Sequence, residues 1–243
     1  MIIGKCLFCK KKFRKREQKY KFCSLICSSN YNKNGLKSII IPSKSMELAE
    51  LIGILLGDGY ISKYQISITL NSIADKKYVP SVIMLIDNLF PSVGIKQIKR
   101  KNENAIDIKF NSKIIADYFY SIGIVANNKK IPEWFLNNKN YRYSCLRGLI
   151  DTEGSISFKL YNGKRKNSIY KQLNFRNKNQ EILTFARNVM IELGLRPTDS
   201  RGYSIYLSNN NDINIYRMLV GFRNPKLHIR SLVYTQDEYF KLP

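Results

Sequence analysis

Residues 51–62 read LIGILLGDGYIS, residues 146–157 read LRGLIDTEGSIS, and the two align without a gap at an offset of 95. A repeat of this kind limits the fold more than any local propensity does, because it makes the chain two copies of one plan. Leu51 matches Leu146, Gly53 matches Gly148, Asp58 matches Glu153 and Gly59 matches Gly154. Each copy is an apolar, helix-like run that ends on an acid and a glycine and passes into strand-like alternation. Gly53 and Gly57 lie four apart, on one helix face, and Gly148 and Thr152 occupy the matching places. Small residues on one face let helix backbones approach closely. The motif helices are therefore expected to pack side by side with their C-terminal ends together. Asp58 and Glu153 then become neighbours, and Gly59 and Gly154 are expected in the left-handed conformation that ends many helices. Carboxylates there oppose the helix dipole and repel each other, which makes sense with divalent cations between them. Asp151 has Leu56 as its repeat partner, so it is read as structural, hydrogen-bonded to a neighbouring loop.

The likeness continues downstream. QISITLN (65–71) and KQLNFRN (171–177) alternate in polarity, and helical patterns YVPSVIMLIDNLF and EILTFARNVMIELGL follow. Then come strands AIDIKF and YSIYLS, and second helices SKIIADYFYSIGI and NDINIYRMLVGF. Each half reads αββαββα, which places the chain in the α+β class. The expected organisation is a small N-terminal module over 1–35, a linker over 36–46 that follows Gly35 and holds Pro42 and several serines, a first repeat over 47–145 and a second over 146–243.

The N-terminal module rests on cysteines. Cys6 and Cys9 form C-x2-C, Cys23 and Cys27 form C-x3-C, and thirteen residues separate the pairs. Four thiolates at this spacing close a tetrahedral structural Zn2+ site, and about 35 residues need one, having too little apolar surface to fold alone. A hairpin is expected between the pairs and a short helix at the second pair, a treble-clef-like arrangement. Cys145 stands apart as a small core residue.

The formal net charge of +23, from 41 basic and 18 acidic residues, constrains partners. Such a surface attracts polyanions, first of all nucleic acid. Ten Lys or Arg residues lie between Lys5 and Lys33, so the N-terminal module is expected to touch phosphates as well. No signal peptide or membrane-spanning run is visible, since LIGILL is far too short, and a soluble intracellular protein of the cytoplasm or an organelle matrix is expected.

The paired motifs resemble the LAGLIDADG family of homing endonucleases in its two-motif, single-chain form, over roughly residues 46–225. GDG at 57–59 and TEG at 152–154 match the family's acid–glycine ending, and KKIPEWFLNN at 129–138 also resembles family members. The resemblance implies a saddle of two β-sheets on duplex DNA, with the motif helices at its centre. It implies a monomeric, site-specific endonuclease that acts on a long asymmetric target and leaves short 3′ overhangs. Asp58 and Glu153 would hold Mg2+ over the two scissile phosphates, with the carbonyls of Gly57 and Thr152 as further ligands. Lys178 and Lys109 are the candidate basic groups beside water and phosphate.

On such a saddle, strand positions facing away from the apolar core read the DNA. Alternation assigns Gln65, Ser67 and Thr69, then Gln172, Asn174 and Arg176, then Ser157, Lys159 and Tyr161 to that face. KQIKRK supplies Lys96, Lys99, Arg100 and Lys101 for phosphates, and GKRKN supplies Lys164, Arg165 and Lys166. Two competing readings use the same fold: a maturase that binds intron RNA, and a DNA-binding regulator that does not cut. An intein is disfavoured, because the chain ends EYFKLP with no His–Asn pair and its one histidine is His228. A freestanding, intron-encoded protein is expected.

Overall fold

The structure, a computed structural model, describes residues 2–15, 17–34, 39–125, 128–160 and 169–242. It divides into two compact units, Met1–Ile40 and Ile41–Pro243.

In the first unit, β1 (Ile2–Lys5) and β2 (Lys12–Lys15) pair antiparallel, and α1 (Leu25–Asn34) follows. Cys6 and Cys9 sit in the turn between the strands, closed by Cys6 N–H donating to the Lys11 carbonyl at 2.9 Å. The hairpin therefore carries the first cysteine pair at its tip, whereas the sequence reading placed it between the pairs. The isoleucines of Ile2–Lys5 make a better strand than the lysine-rich stretch after Lys15. Cys23 precedes α1, and Cys27 lies in its first turn, where its N–H donates to Ser24 Oγ at 3.1 Å.

In the second unit, α2 (Met46–Asp58), β3 (Gly59–Ile61), β4 (Gln65–Asn71), α3 (Val79–Leu89), β5 (Lys96–Lys99), β6 (Ala105–Asn111) and α4 (Lys113–Ser121) form the first repeat. The short strands β7 (Ile124–Val125) and β8 (Asn128–Lys129) and a 3-10 turn at Glu133–Phe135 lead to the second repeat. There α5 (Lys139–Glu153), β9 (Gly154–Leu160), β10 (Ile169–Arg176), α6 (Gln180–Glu192), β11 (Thr198–Ser200), β12 (Ser204–Leu207) and α7 (Asn210–Leu219) follow the same order. α8 (Pro225–Ser231) and α9 (Gln236–Phe240) come last. The sheets run β3-β4-β6-β5 and β9-β10-β12-β11. Their registers match: Ser67 lies between Tyr60 and Lys109, as Asn174 lies between Ser155 and Tyr206. Both halves are thus αββαββα. Among the described residues no helix is long and apolar enough to cross a membrane.

The core is built around α2 and α5. Ser45 caps α2 by accepting from Leu48 N–H, and Leu48 to Leu56 are buried without interruption. A Cβ added to Gly53 would lie 2.2 Å from the Cys145 carbonyl oxygen, and one on Gly148 would lie 2.3 Å from that of Glu50. The helices are in backbone contact at these positions, as the small-residue spacing predicts. Cys145 is fully buried, as expected of a core residue.

The helix-ending glycines behave otherwise than expected. Gly59 has φ −86° and Gly154 φ −84°, extended values, not left-handed ones. Each glycine begins a strand directly. Its lack of a Cβ is required by crowding: a Cβ at 59 would lie 2.5 Å from the Leu55 carbonyl oxygen, and one at 154 would lie 2.3 Å from that of Ile150.

Candidate functional site

The ends of α2 and α5 bring Asp58 and Glu153 into one charged site. Asp58 is pushed up to about 7, first by burial, then by the charges of Glu153 and Asp75, with Lys129 and Lys226 acting the other way. Burial also raises Glu153 above the usual carboxylate range, against the pull of Lys129. Each acid thus carries an unfavourable negative charge at the negative end of a helix, and the pair is stable in ionised form only beside cations.

One such cation belongs to the chain. Lys129 Nζ donates to the carbonyls of Leu56 at 3.0 Å and Gly57 at 3.1 Å, capping α2 beside both acids. Burial lowers its basicity, while Glu153 and Asp58 oppose that. The second repeat fixes the strand that carries it. Asn179 Nδ2 donates to the Lys129 carbonyl at 2.7 Å, and Ile131 N–H donates to Glu181 Oε1 at 2.8 Å. A cleft of about 530 Å³ beside this cap is lined by Gly57, Lys129, Glu153, Arg176 and Lys178 among others.

Of the two lysines expected near the chemistry, Lys178 lines this cleft and Lys109 does not. Lys109 Nζ is paired with Asp107 at 3.0 Å on the first sheet. The lysine that sequence reasoning missed is Lys129. Its signal is in the sequence, since Lys129 opens KKIPEWF just before the second motif helix. The Gly57 carbonyl, expected as a metal ligand, is engaged by Lys129. Thr152 turns its hydroxyl back onto the carbonyls of Gly148 at 2.9 Å and Leu149 at 3.1 Å.

Asp151 is engaged in structural contacts, in keeping with apolar Leu56 at its place in the first repeat. It is buried, and its Oδ2 accepts from Arg223 N–H at 2.8 Å. Burial pushes it up to about 7. Its carbonyl accepts from Asn224 Nδ2 at 3.0 Å, and that amide also reaches Asp75 Oδ1 at 3.0 Å, linking the two repeats. Fully buried Glu50 completes the tie, paired with Arg147 at 2.5 Å and with Arg223 at 2.8 Å. Glu50 and Arg147 were readable in principle, each being a charge inside an apolar motif helix.

The outer sheet faces carry most of the expected contact residues. On the first sheet, Gln65, Thr69, Lys96, Lys109 and Asn111 lie in register on one side, opposite buried Ile66, Ile68, Leu70 and Phe110. Ser67 is on that side but only 7% exposed. Lys99 pairs with Ile106 and so belongs to the other side of the sheet, a correction that follows from the period of two. Lys101 is exposed in the turn after β5. Asp107 gathers Arg100, Lys109 and Thr69; burial opposes its ionisation, but these hydrogen bonds hold it at about 2.

On the second sheet, Ser157, Gln172, Asn174 and Arg176 line a polar hollow with Glu153, Ser155, Arg201 and Tyr206. Asn174 Nδ2 donates to Ser157 Oγ at 3.1 Å. Lys159 shares the strand with Ser157, opposite Tyr170. Tyr161, Lys164, Arg165 and Lys166 lie outside the described residues.

In the N-terminal unit, the Sγ atoms of Cys6, Cys9, Cys23 and Cys27 all lie within 4.8 Å of one another, the one such metal-ligating cluster among the described residues. Cys9–Cys23 and Cys23–Cys27 approach to 3.5 and 3.4 Å, which suits the edges of a tetrahedron with metal–sulfur bonds of about 2.3 Å. Neighbouring thiols push Cys23 up to about 12. Burial likewise opposes ionisation of Cys6, yet N–H groups of Cys23, Cys9 and Phe8 outweigh it and lower Cys6 to about 6. The donor set fits Zn2+.

No family model matches the chain. Two curated proteins of Methanocaldococcus jannaschii are similar to parts of it. The DNA-directed RNA polymerase subunit Rpo1C is 29% identical over 142 residues, which is 54% of this chain and 16% of that protein. The replication factor C small subunit is 24% identical over 200 residues, which is 79% of this chain and 10% of that protein. The aligned stretch is therefore a small fraction of either relative. Among solved structures, mesophilic variants of the homing endonuclease I-DmoI match at a TM-score of 0.51 with 22% identity, covering 72% of this chain and 95% of theirs. A single-substitution variant of I-DmoI in complex with its target DNA and in the presence of manganese matches at 0.52 with 21% identity, covering 74% and 97%. The N-terminal LAGLIDADG domain of WhiA matches at 0.51 with 18% identity, covering 74% and 84%. At these identities the likeness establishes architecture and leaves activity open. Two αββαββα repeats joined through paired, acid-tipped helices make this a chain of the LAGLIDADG fold.

Proposed function

We propose that the chain is a site-specific, double-strand DNA endonuclease of the homing type that uses divalent cations, Mg2+ first, at Asp58 and Glu153. The observation that carries the reading is the meeting of those two acids at abutting helix ends, each raised by burial and one by the other. A protein that only binds DNA gains nothing from two crowded carboxylates facing a polyanion.

Asp58 and Glu153 would hold the cations, with the Thr152 carbonyl as a further ligand while Gly57 is engaged by Lys129. Bound there, the cations supply Lewis acidity for water activation and leaving-oxygen stabilisation. Lys129 places a positive charge against both acids, beside where a scissile phosphate would sit, and Lys178 and Arg176 extend that charge along the cleft. The two outer faces read the major groove through polar side chains and hold phosphates through lysine and arginine. The Zn2+-closed N-terminal unit adds phosphate affinity. The chain would act as a monomer, its unequal repeats matching an asymmetric target.

I-DmoI and WhiA share the fold, so the deciding experiment is cleavage itself. A plasmid library with randomised inserts is incubated with protein and Mg2+, and cut ends are sequenced. The wild type should yield one preferred site; Asp58→Asn and Glu153→Gln should bind that site and leave it intact. Lys129→Met should slow cutting by roughly a hundredfold, the lower end for a lost acid–base or charge-stabilising group. Normal cutting by Glu153→Gln overturns the assignment. Binding without cutting by the wild type makes the protein a regulator on this fold, and binding of intron RNA alone makes it a maturase.

A further inference from the structure

Asp107 is a carboxylate on a face that would meet a polyanion. It is 3% exposed and lies in register between Thr69 and Ile98. Its Oδ1 accepts from Thr69 Oγ1 at 2.8 Å and Arg100 Nη2 at 2.9 Å. Its Oδ2 accepts from Arg100 Nε at 3.1 Å and Lys109 Nζ at 3.0 Å. Arg100 Nη2 also reaches Thr69 Oγ1 at 3.3 Å, and Nη1 meets the exposed carboxylate of Glu103 at 3.2 Å.

Left free, this acid would repel phosphates. Arg100 and Lys109 outweigh it by one positive charge, which Glu103 offsets until it is displaced. What the acid adds is orientation. A free arginine side chain must lose much rotamer freedom on binding, whereas this one is fixed beforehand. Asp107 takes the Nε–Nη2 edge of the guanidinium, so the Nη1–Nη2 edge is the one left to point outward. Exposed Glu103 contests that edge at Nη1, and at Nη2 the Thr69 hydroxyl makes a longer contact of 3.3 Å while donating to Asp107. The second repeat has no counterpart: in its matching register Arg176 faces Ser204, and the guanidinium instead lies over the Tyr203 ring at 5.9 Å.

We propose that Asp107 is a positioning residue that aims Arg100 at the O6 and N7 atoms of one guanine in the half-site covered by the first repeat. A planar, bidentate fork presented rigidly is the arginine geometry that distinguishes guanine in the major groove. Glu103 is exchanged for the base on contact. The inference rests on the duplex-DNA part of the reading above and is independent of cleavage.

The test is selection of bound sequences from a randomised duplex library by the full zinc-loaded chain without Mg2+, comparing wild type, Asp107→Asn and Arg100→Lys. The wild type should select guanine at one position on the first-repeat side. Both variants should lose about ten- to hundredfold of that preference and keep the preferences of the other half-site. Because Asp107→Asn removes a negative charge, its affinity for non-specific duplex at low salt should rise while its base preference falls. Arg100→Lys keeps the charge and should keep the salt dependence, since lysine lacks the fork. The proposal is overturned if Asp107→Asn retains the guanine preference. It is equally overturned if Arg100→Lys weakens every sequence alike, which is the behaviour of a phosphate contact. A wild type with no sequence preference sinks the DNA-readout reading too, which separates that failure from the first two.

Discussion

Gly148→Ala puts a methyl group where another helix's backbone runs. Its Cβ would lie 2.3 Å from the Glu50 carbonyl oxygen and 2.8 Å from Ile54 N. Both atoms are backbone atoms of α2, so no rotamer change relieves the overlap. Restoring ordinary contact, which begins at 3.4 Å, requires the helices to part by about 1 Å. Leu51, Ile52, Leu55, Leu146 and Leu149 around the crossing are all 0% exposed, so parting opens gaps in a dry interface. A gap of roughly 0.5–1 Å forfeits a quarter to a half of each contact's attraction, and overpacking of this kind costs about 1–3 kcal/mol, occasionally more. Helix propensity acts the other way, favouring alanine over glycine by about 1 kcal/mol. Overlap with backbone atoms places the overpacking cost in the upper part of its range, about 2–3 kcal/mol, so the net expectation is destabilisation by about 1–2 kcal/mol, seen in urea titration or calorimetry as a Tm lower by roughly 2–8 °C. Gly94→Ala, with nothing within 4 Å of the added Cβ, is the control and should change stability by less than about 0.5 kcal/mol. Because the same helices carry Asp58 and Glu153, cleavage by Gly148→Ala should also fall, by up to about a hundredfold for a displacement of 1 Å. A Gly148→Ala protein as stable as the wild type, or more so, refutes the close-approach reasoning, since only the propensity effect would remain.

Glu50→Gln leaves the Arg147 and Arg223 guanidinium groups without their buried counter-charge and should destabilise the second unit by about 3–5 kcal/mol in urea titration, whereas a change below 1 kcal/mol would remove Glu50 as the tie between repeats. Asp107 is held at about 2 against its ordinary 3.8, so its ion pairs stabilise the fold fully above pH 3.8 and cease to do so as pH falls through 2. The stability difference between wild type and Asp107→Asn, about 2 kcal/mol at neutral pH, should therefore shrink between pH 4 and 2; a constant difference across that range would contradict the pairing. The full chain should carry one zinc ion by elemental analysis, and Cys23→Ser should lose most of it on dialysis. Cobalt substitution should give thiolate charge-transfer absorption in the wild type only, and retention of zinc by Cys23→Ser would dismiss the four-sulfur site.

Periodicity and spacing carried much of the fold. The gapless repeat specified two halves built on one plan, and alternation in QISITL and QLNFR assigned the strand faces, because a period of two has no other outcome once one face is apolar. Asp151 was separable from Glu153 on the repeat alone. Local chemistry was less legible. Gly59 and Gly154 were read as left-handed caps, yet they are extended and needed for crowding against Leu55 and Ile150; glycine serves either purpose, and its letter does not say which. Lys109 and Lys129 sit in equally basic surroundings. Only pairing showed that Asp107 claims the first while the end of α2 takes the second.

The sequence by itself determined the two-fold plan, the four-cysteine module, the acids that end the motif helices and the strongly basic character of the chain. These are properties of spacing and composition along one chain. The tertiary structure decided which lysine reaches the acids, that Glu50, Arg147 and Arg223 bind the repeats together, and that Asp107 organises one sheet face. Each of those joins residues separated by up to 173 positions. Their partnership depends on distances of about 3 Å that only the packed fold creates.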